Sequence, residues 1–359
     1  MSDQSKLPPV EVSWFSALCD DDYEFLGVPD EQLRSSYEHC RDIVLGAERG
    51  GFDNILLPSG YQLGIDTIAF AGGIAPLISR IRLLVAVRCG EMWPPQLARQ
   101  IATLDRMLGG RLTINIISSE LPGQPMESGP RYRRCVEVMR ILRTLLDSES
   151  LAIDGEFYKV KLEPPRVGTV SRRCPPMYFG GLSDDAREAA AEGCDVYLMW
   201  PDTLDNVKAI IDDLSARAAR RGRKLRFGYR VHVVVRETES EARAAADRLL
   251  SRLDAGVGDQ ILRKSLDHQS TGARRQAELR QSATGDGYIE ENLWTGIGRA
   301  RSGCGAAIVG DPDQVLRKLN AYRRLGIEAF ILSGYPHAAE CDLFARHVLP
   351  HLDHGPLTI

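Results

Sequence analysis

Short apolar runs alternate with amphipathic segments along most of the chain. The runs VEVSWFSAL, FDNILLP, IRLLVAVR, RLTINIIS, PMYFG, CDVYLMW, RFGYRVHVVV and EAFILSG have the length and near-continuous apolar character of buried parallel strands. Segments 31–49, 65–78, 95–108, 131–146, 183–192, 203–221, 238–253 and 338–349 place apolar residues at helical spacing. Eight strands, each followed by a helix, predict an α/β fold closed as a (β/α)₈ TIM barrel, with residues 1–359 forming one domain. A doubly wound open sheet is the alternative, but no G-x-G-x-x-G follows the first strand. GDP at Gly310–Pro312 reads as a turn and helix cap.

Two regions break the rhythm. Residues 147–176 contain IDGEFYKVKLEPPRVG, which reads as a small hairpin excursion. Residues 254–306 are long and polar, helix-compatible over 258–283 and Gly-rich at their end, GIGRARSGCG. An insertion of that length in a compact domain predicts a mobile lid or binding loop.

Barrel chemistry gathers at the C-terminal ends of strands, which narrows the search to strand-end polar residues. Within RFGYRVHVVVRE, Arg230 and His232 lie two apart and therefore face the same way. The strand supplies no carboxylate on that face, so an anionic ligand competes with a buried ion pair as the partner of Arg230. The eighth strand ends in SGYPH, giving Ser333, Tyr335 and His337, and the sixth ends at Trp200. FGGLSDDAREAA puts Gly180, Gly181 and Ser183 at a strand-to-helix turn, where free N–H groups suit a phosphate; a plain serine cap is the alternative. Asp184 and Asp185 suit the helix dipole but repel a nearby anion.

Composition removes several classes. The net charge of −4 and the lack of a Lys/Arg block give no nucleic-acid surface. MSDQSKLPPVEV has no signal-peptide character, and no apolar run nears the ~20 residues of a membrane span, so a cytoplasmic protein is expected. Cys19, Cys40, Cys89, Cys135, Cys174, Cys194, Cys304 and Cys341 form no C-x-x-C pair and read as small hydrophobes rather than a metal or disulfide framework. His232 and His337 have no evident third ligand, so no metal is expected; with no G-x-S-x-G elbow, serine hydrolysis has no support.

Several segments taken together, ATLDRMLGGRLTINIIS, YFGGLSDDAREAAAEGCDVYLMW, RFGYRVHVVVRETESEARAAADRLLS, NLWTGIGRARSGCGAAIVGDPDQV and LGIEAFILSGYPH, resemble the alkanesulfonate monooxygenase branch of the bacterial-luciferase-like flavin monooxygenases. The resemblance implies a barrel that takes reduced FMN from a separate NAD(P)H:FMN reductase and uses O₂ to oxygenate an organosulfur anion, with C–S cleavage to an aldehyde and sulfite. It implies substrate-side roles for Trp200, Arg230 and His232, a loop arginine at Arg301, and strand-eight groups at Tyr335 and His337. On the flavin side it implies Asn115, Tyr132, Gly180, Gly181, Ser183 and Asp184. Homodimers or homotetramers are usual among such relatives.

The chain departs from that branch on three loops. WFSALCDD places Cys19 where the family has His, SGYQLGID offers Gly64 or Leu63 where it has Cys, and SSELPGQPMESGPRY is several residues shorter. These loops shape the pocket wall, so a simple alkanesulfonate is the substrate most in question. A sulfone or N-heterocycle substrate, an F420-dependent oxidoreductase and a flavin-binding protein without activity are the rival readings.

Overall fold

A computed structural model describes residues 7–61, 64–264, 270–301 and 303–359. The strands, in chain order, are β1 (Glu11–Phe15), β2 (Asn54–Leu57), β3 (Arg82–Arg88), β4 (Leu112–Ile117), β5 (Leu151–Asp154), β6 (Lys159–Leu162), β7 (Met177–Phe179), β8 (Val196–Met199), β9 (Arg226–Val235), β10 (Tyr288–Glu290), β11 (Leu293–Trp294), β12 (Ala307–Gly310) and β13 (Ile327–Ser333). Neighbours pair in parallel in the order β1, β2, β3, β4, β7, β8, β9, β13, and β13 returns to β1. The expected eight-stranded barrel is therefore closed.

The helices are α1 (Tyr37–Gly50), α2 (Thr67–Ile74), α3 (Pro94–Met107), α4 (Ser128–Leu146), α5 (Asp184–Gly193), α6 (Leu204–Arg220), α7 (Glu239–Leu250), α8 (Ala255–Lys264), α9 (Thr271–Ser282), α10 (Pro312–Leu325) and α11 (His337–His347). The side chains of Ser36, Asp66, Ser183, Thr203 and Thr238 accept a backbone N–H in the first turn of the helices they precede, which explains why these helices start where they do. On α3, Leu97, Ala98, Ile101, Ala102 and Leu104 turn one stripe onto the barrel.

β9 shows how the sequence positions the site. Phe227, Tyr229, Val231 and Val233 face the helical layer and belong to the main apolar core. Full burial of a valine there contributes roughly 1.5–3 kcal/mol. The alternate positions, Gly228, Arg230 and His232, face the barrel axis, so the two polar residues do share one face. At the opposite end of the barrel the interior is plugged by Glu11, which accepts from the Tyr178 hydroxyl at 2.7 Å and from Asn54.

Three features lie outside the expected eight units. The 147–176 excursion holds the antiparallel pair β5–β6. β12 pairs with the upper part of β9 (Ala307 opposite His232), where β9 has outrun β8, and β11 and β10 continue from it antiparallel. The four-residue β12 was too short to stand out as a strand in the sequence. α10, which follows it, was visible only through its cap: Asp311 and Gln314 form a reciprocal capping box. The helix-compatible stretch 258–283 resolves into α8 and α9, with 265–269 outside the described residues.

The insertion bears on the loop after β1. Tyr23 and Leu26 of that loop, Leu249 of α7, Trp294 and Ile297 of the insertion, and Tyr335 form one buried apolar cluster. Arg301 follows a short 3-10 turn, Gly296–Arg299, of which Ile297 is fully packed.

Candidate active site

A cavity of about 460 Å³ opens at the C-terminal ends of the strands, between the β1 loop, the loop after β2 and the insertion. Arg230, Trp200, Asn115 and Arg301 all line it, so four of the expected residues from four different segments meet there. The loop departures meet there as well: Cys19 lines the wall, and after β2 it is Ser59, Gly60 and Tyr61 that do so. Gly64 is exposed and packs against the backbone of Leu18, and Leu63 lies outside the described residues.

Arg230 is 3% exposed and makes no ion pair among the described residues. Its Nη2 donates to Ser333 Oγ at 2.8 Å, its Nη1 donates to the Val231 carbonyl at 3.1 Å, and its guanidinium stands 4.3 Å from the Phe15 ring centroid. Burial pushes its pKa below the usual arginine value. A buried cation served only by neutral acceptors and a ring face is one that an anionic ligand would complete.

Ser333 sits opposite His232 in the β13–β9 register, and its Oγ lies 2.7 Å from His232 Nδ1. Because Ser333 Oγ accepts from Arg230, its own proton is free to go to Nδ1, which leaves the neutral imidazole protonated at Nε2. Burial, reinforced by the charges of Arg230 and Arg301, holds the His232 pKa well below the ordinary imidazole value. This has a stability consequence. The folded state keeps His232 neutral, while the unfolded chain takes up a proton below pH ~6.5, so stability falls as the solution is acidified, by at most ~1.4 kcal/mol per pH unit from this group. The drop in melting temperature between pH 7 and pH 5 is expected to be smaller in His232→Gln than in the parent. Equal drops would contradict the assignment.

Tyr335 stacks on His232 (ring centroids 5.2 Å apart, planes 23° apart) and meets His337 edge-on at 4.9 Å. Burial raises the Tyr335 hydroxyl far above the usual phenol range, so it is a neutral donor. His337 stacks on Phe15 and points Nδ1 at Asp22. His232 Nε2, Tyr335 Oη and His337 Nε2 are all buried without a hydrogen-bond partner in the protein. Three such atoms in one ring stack are what a polar ligand would satisfy.

Arg301 reaches the site from the insertion. It donates to Asp20 Oδ2 at 3.0 Å and to Cys19 Sγ at 3.5 Å, and stands 5.8 Å from the same Phe15 ring. Burial opposes its charge, but its surroundings, in which Asp20 is the paired carboxylate, outweigh this and keep the guanidinium protonated. Trp200 is clasped between the backbones of Gly272 on α9 and Gly303.

The expected phosphate positions lie at the β7–α5 turn. A Cβ on Gly180 would stand 2.3 Å from the Leu198 carbonyl oxygen. Gly181 has φ +148°, and a Cβ there would stand 3.1 Å from the Tyr132 hydroxyl. Both glycines therefore let the turn pack closely against Leu198, Ala186 and Tyr132, and Ser183 caps α5 by accepting from Ala186 N; Tyr132, Gly180, Gly181 and Ser183 do not line the cavity. Asp184 turns away: its carboxylate pairs with Arg217 at 2.8 Å and is 79% exposed. Asp185 accepts from Ser128. The two acidic groups are therefore engaged with protein partners.

Phe15, Asp20, Asp22 and Arg88 were not singled out in the sequence. Asp20 and Asp22 follow Cys19 in a run that reads as loop charge, and Arg88 ends an apolar strand where one polar residue is unremarkable. Only their position at strand ends could have marked them. Among the described residues, no group of His, Cys, Asp and Glu is arranged to hold a metal ion.

The barrel carries cations at the cavity and, buried beside them, two imidazoles whose Nε2 atoms lack a partner, and comparison with known proteins gives its class. The profile of the luciferase-like monooxygenases matches residues 25–329, and the chain belongs to that family. A sulfoquinovose monooxygenase of Novosphingobium aromaticivorans is 69% identical over 356 residues, covering 97% of this chain and 98% of that one. Another, from Agrobacterium fabrum, is 54% identical over 349 residues, covering 96% and 90%. Among solved structures, EDTA monooxygenase from Chelativorans shares the fold at a TM-score of 0.77 and 16% identity, covering 96% of this chain and 93% of that one. The expected resemblance thus holds at the level of family, and the chain is a monooxygenase of it.

Proposed function

We propose that this protein is a two-component, FMNH₂-dependent monooxygenase that oxygenates a sulfonated sugar of the sulfoquinovose type and releases sulfite. One observation carries the reading: Arg230 lies buried without an acidic partner among the described residues, in a cavity whose other walls carry Asp21, Ser59 and Gln260. A sulfonate answers the guanidinium, and hydroxyl groups answer the Asp21 carboxylate, the Ser59 hydroxyl and the amide. An alkyl chain would leave those polar walls unpaired, which costs affinity. The identity to two sulfoquinovose monooxygenases points the same way. The narrower expectation of an alkanesulfonate gives way to this substrate.

The net reaction balances with one molecule of O₂. The carbon bearing sulfur becomes an aldehyde, one oxygen atom enters it, sulfur leaves as sulfite, and the second oxygen atom becomes water. Reduced FMN supplies the two electrons and the oxygen activation when bound. The protein's residues then divide the work. Arg230 and Arg301 bind and neutralise the sulfonate. His232, protonated at Nε2, and the neutral Tyr335 hydroxyl donate to developing negative charge. Trp200 and the insertion exclude water. Asn115 and Tyr132 would face the cofactor, and the backbone N–H groups at the turn of Gly180, Gly181, Ser183 and Asp184 would hold its phosphate. The three unpartnered buried atoms fit a polar ligand of this kind. A separate NAD(P)H:FMN reductase supplies the flavin, and the protein works in the cytoplasm as a homodimer or homotetramer. No described helix is long and apolar enough to cross a membrane.

Anaerobic titration with photoreduced FMN and with reduced F420, read by absorbance, tests the cofactor assignment. Binding of FMNH₂ at micromolar concentration is expected; preference for F420 would reject it. Gly180→Ala, which forces a Cβ toward the Leu198 carbonyl, is expected to weaken FMNH₂ binding about tenfold or more while costing ~1–3 kcal/mol of stability. Unchanged affinity would remove the turn from the phosphate site.

A further inference from the structure

Behind the ring stack lies a buried carboxylate that the reaction as described does not use. Asp22 is 0% exposed, yet nothing about substrate binding calls for it. Its Oδ1 lies 2.7 Å from His337 Nδ1, and its Oδ2 lies 3.1 Å from Nε2 of His39 on α1. It also accepts the backbone N–H groups of Tyr23 and His337. Burial opposes its ionisation, but the His337 and His39 side chains and the His337 backbone N–H outweigh this and hold the carboxyl far below the ordinary range. One carboxylate is therefore shared between two imidazoles. The inner one, His337, is clamped between Phe15 and Tyr335, and its Nε2 has no partner in the protein.

We propose that Asp22 and His39 are positioning residues that hold His337 as the Nδ1–H tautomer, with Nε2 presented beside Tyr335 as the proton acceptor of the site. The chemistry is that of a carboxylate–imidazole pair. An ionised carboxylate can only accept, so it receives a hydrogen bond from Nδ1–H and leaves the lone pair on Nε2. His39 serves the second oxygen, so Asp22 cannot rotate away from His337. A proton taken up at Nε2 makes an imidazolium whose charge Asp22 offsets, in a site otherwise dominated by Arg230 and Arg301. The groups facing His337 are Asp22 from the β1 loop and Tyr335 from the turn after β13, on which the neutral His232 of β9 stacks in turn.

Asp22 also caps the first turn of α11 through the His337 N–H, so a purely structural role predicts loss of stability alone. The test separates the two. The full-length protein is labelled with ¹⁵N-histidine, and the His337 signals are assigned by their loss in His337→Gln. Neutral His337 is expected as the Nδ1–H tautomer in the parent and mainly as Nε2–H in Asp22→Asn. In turnover, Asp22→Asn is expected to lower kcat about 10²-fold or more, as a wrong tautomer does in a carboxylate–histidine pair, with KM within about threefold. His39→Leu changes both readouts in the same sense but less, and it decides the matter if Asp22→Asn does not fold. An Nε2–H tautomer in the parent, or an unchanged tautomer and kcat in a folded variant, would overturn the proposal. The inference rests on the monooxygenase site proposed above, but the spectrum needs neither flavin nor substrate. A failure of the sulfosugar assignment would leave the tautomer result standing, and sustained sulfite release with an indifferent Asp22→Asn would sink this inference alone.

Discussion

Arg230→Met is expected to abolish turnover of a sulfonated sugar while leaving the protein at least as stable as its parent. The two halves of that result have one cause. Arg230 is buried, its charge is disfavoured there, and the folded protein offers it Ser333 Oγ, the Val231 and Ile331 carbonyls and the face of Phe15, but no carboxylate among the described residues. An uncompensated buried charge costs stability, and an apolar side chain of similar length removes that cost. The melting temperature should stay level or rise by about 2 °C. The sulfonate, in contrast, loses a desolvated cation that no carboxylate shares among the described residues. Truncating a partner of a buried charge pair costs ~2–5 kcal/mol, which corresponds to a fall in kcat/KM of about 30- to 5,000-fold. Thermal unfolding and steady-state kinetics on the same preparation check both halves. A variant that melts well below its parent would mean that Arg230 is a structural residue.

The second large effect concerns the insertion. Arg301→Ala is expected to lower kcat/KM about 10²-fold, Asp20→Asn about tenfold, and the double variant no further than Arg301→Ala alone. Asp20 lies 3.0 Å from Arg301, and its other oxygen accepts from the Tyr23 hydroxyl and from the Asp21 N–H. Asp20 acts on substrate only by placing Arg301, so removing Arg301 removes what Asp20 contributes, and the two effects cannot add. A double-mutant cycle on kcat/KM measures the coupling, and additive losses would show that Asp20 touches substrate on its own account. Both single variants should also release more hydrogen peroxide per O₂ consumed, because the insertion that excludes water is less firmly held.

The barrel was legible because parallel strands buried on both faces read as unbroken apolar runs, and the helices between them carry clear stripes and caps. Arg230 and His232 were legible for a related reason: two polar residues on one face of such a run have no structural excuse. Trp200 could be placed through its strand-end position and Asn115 through the family resemblance, and the structure brings them to the same cavity. Asp20 and Asp22 were not legible, because a loop carboxylate becomes special only through what folds against it, here residues 281 and 315 positions away in sequence. β12 was missed because four residues carry too little pattern. The orientation of Asp184, turned to Arg217, depends on how α5 packs on α6, which no local signal records.

The most direct test of the function is sulfite release measured against oxygen consumption. The purified protein is supplied with FMNH₂ by a flavin reductase, and sulfoquinovose is compared with an unbranched alkanesulfonate and with no substrate. The proposed function requires sulfite in close to one-to-one ratio with the oxygen consumed above background for sulfoquinovose, and far less for the alkanesulfonate. No sulfite above the substrate-free control, or faster release from the alkanesulfonate, would contradict it.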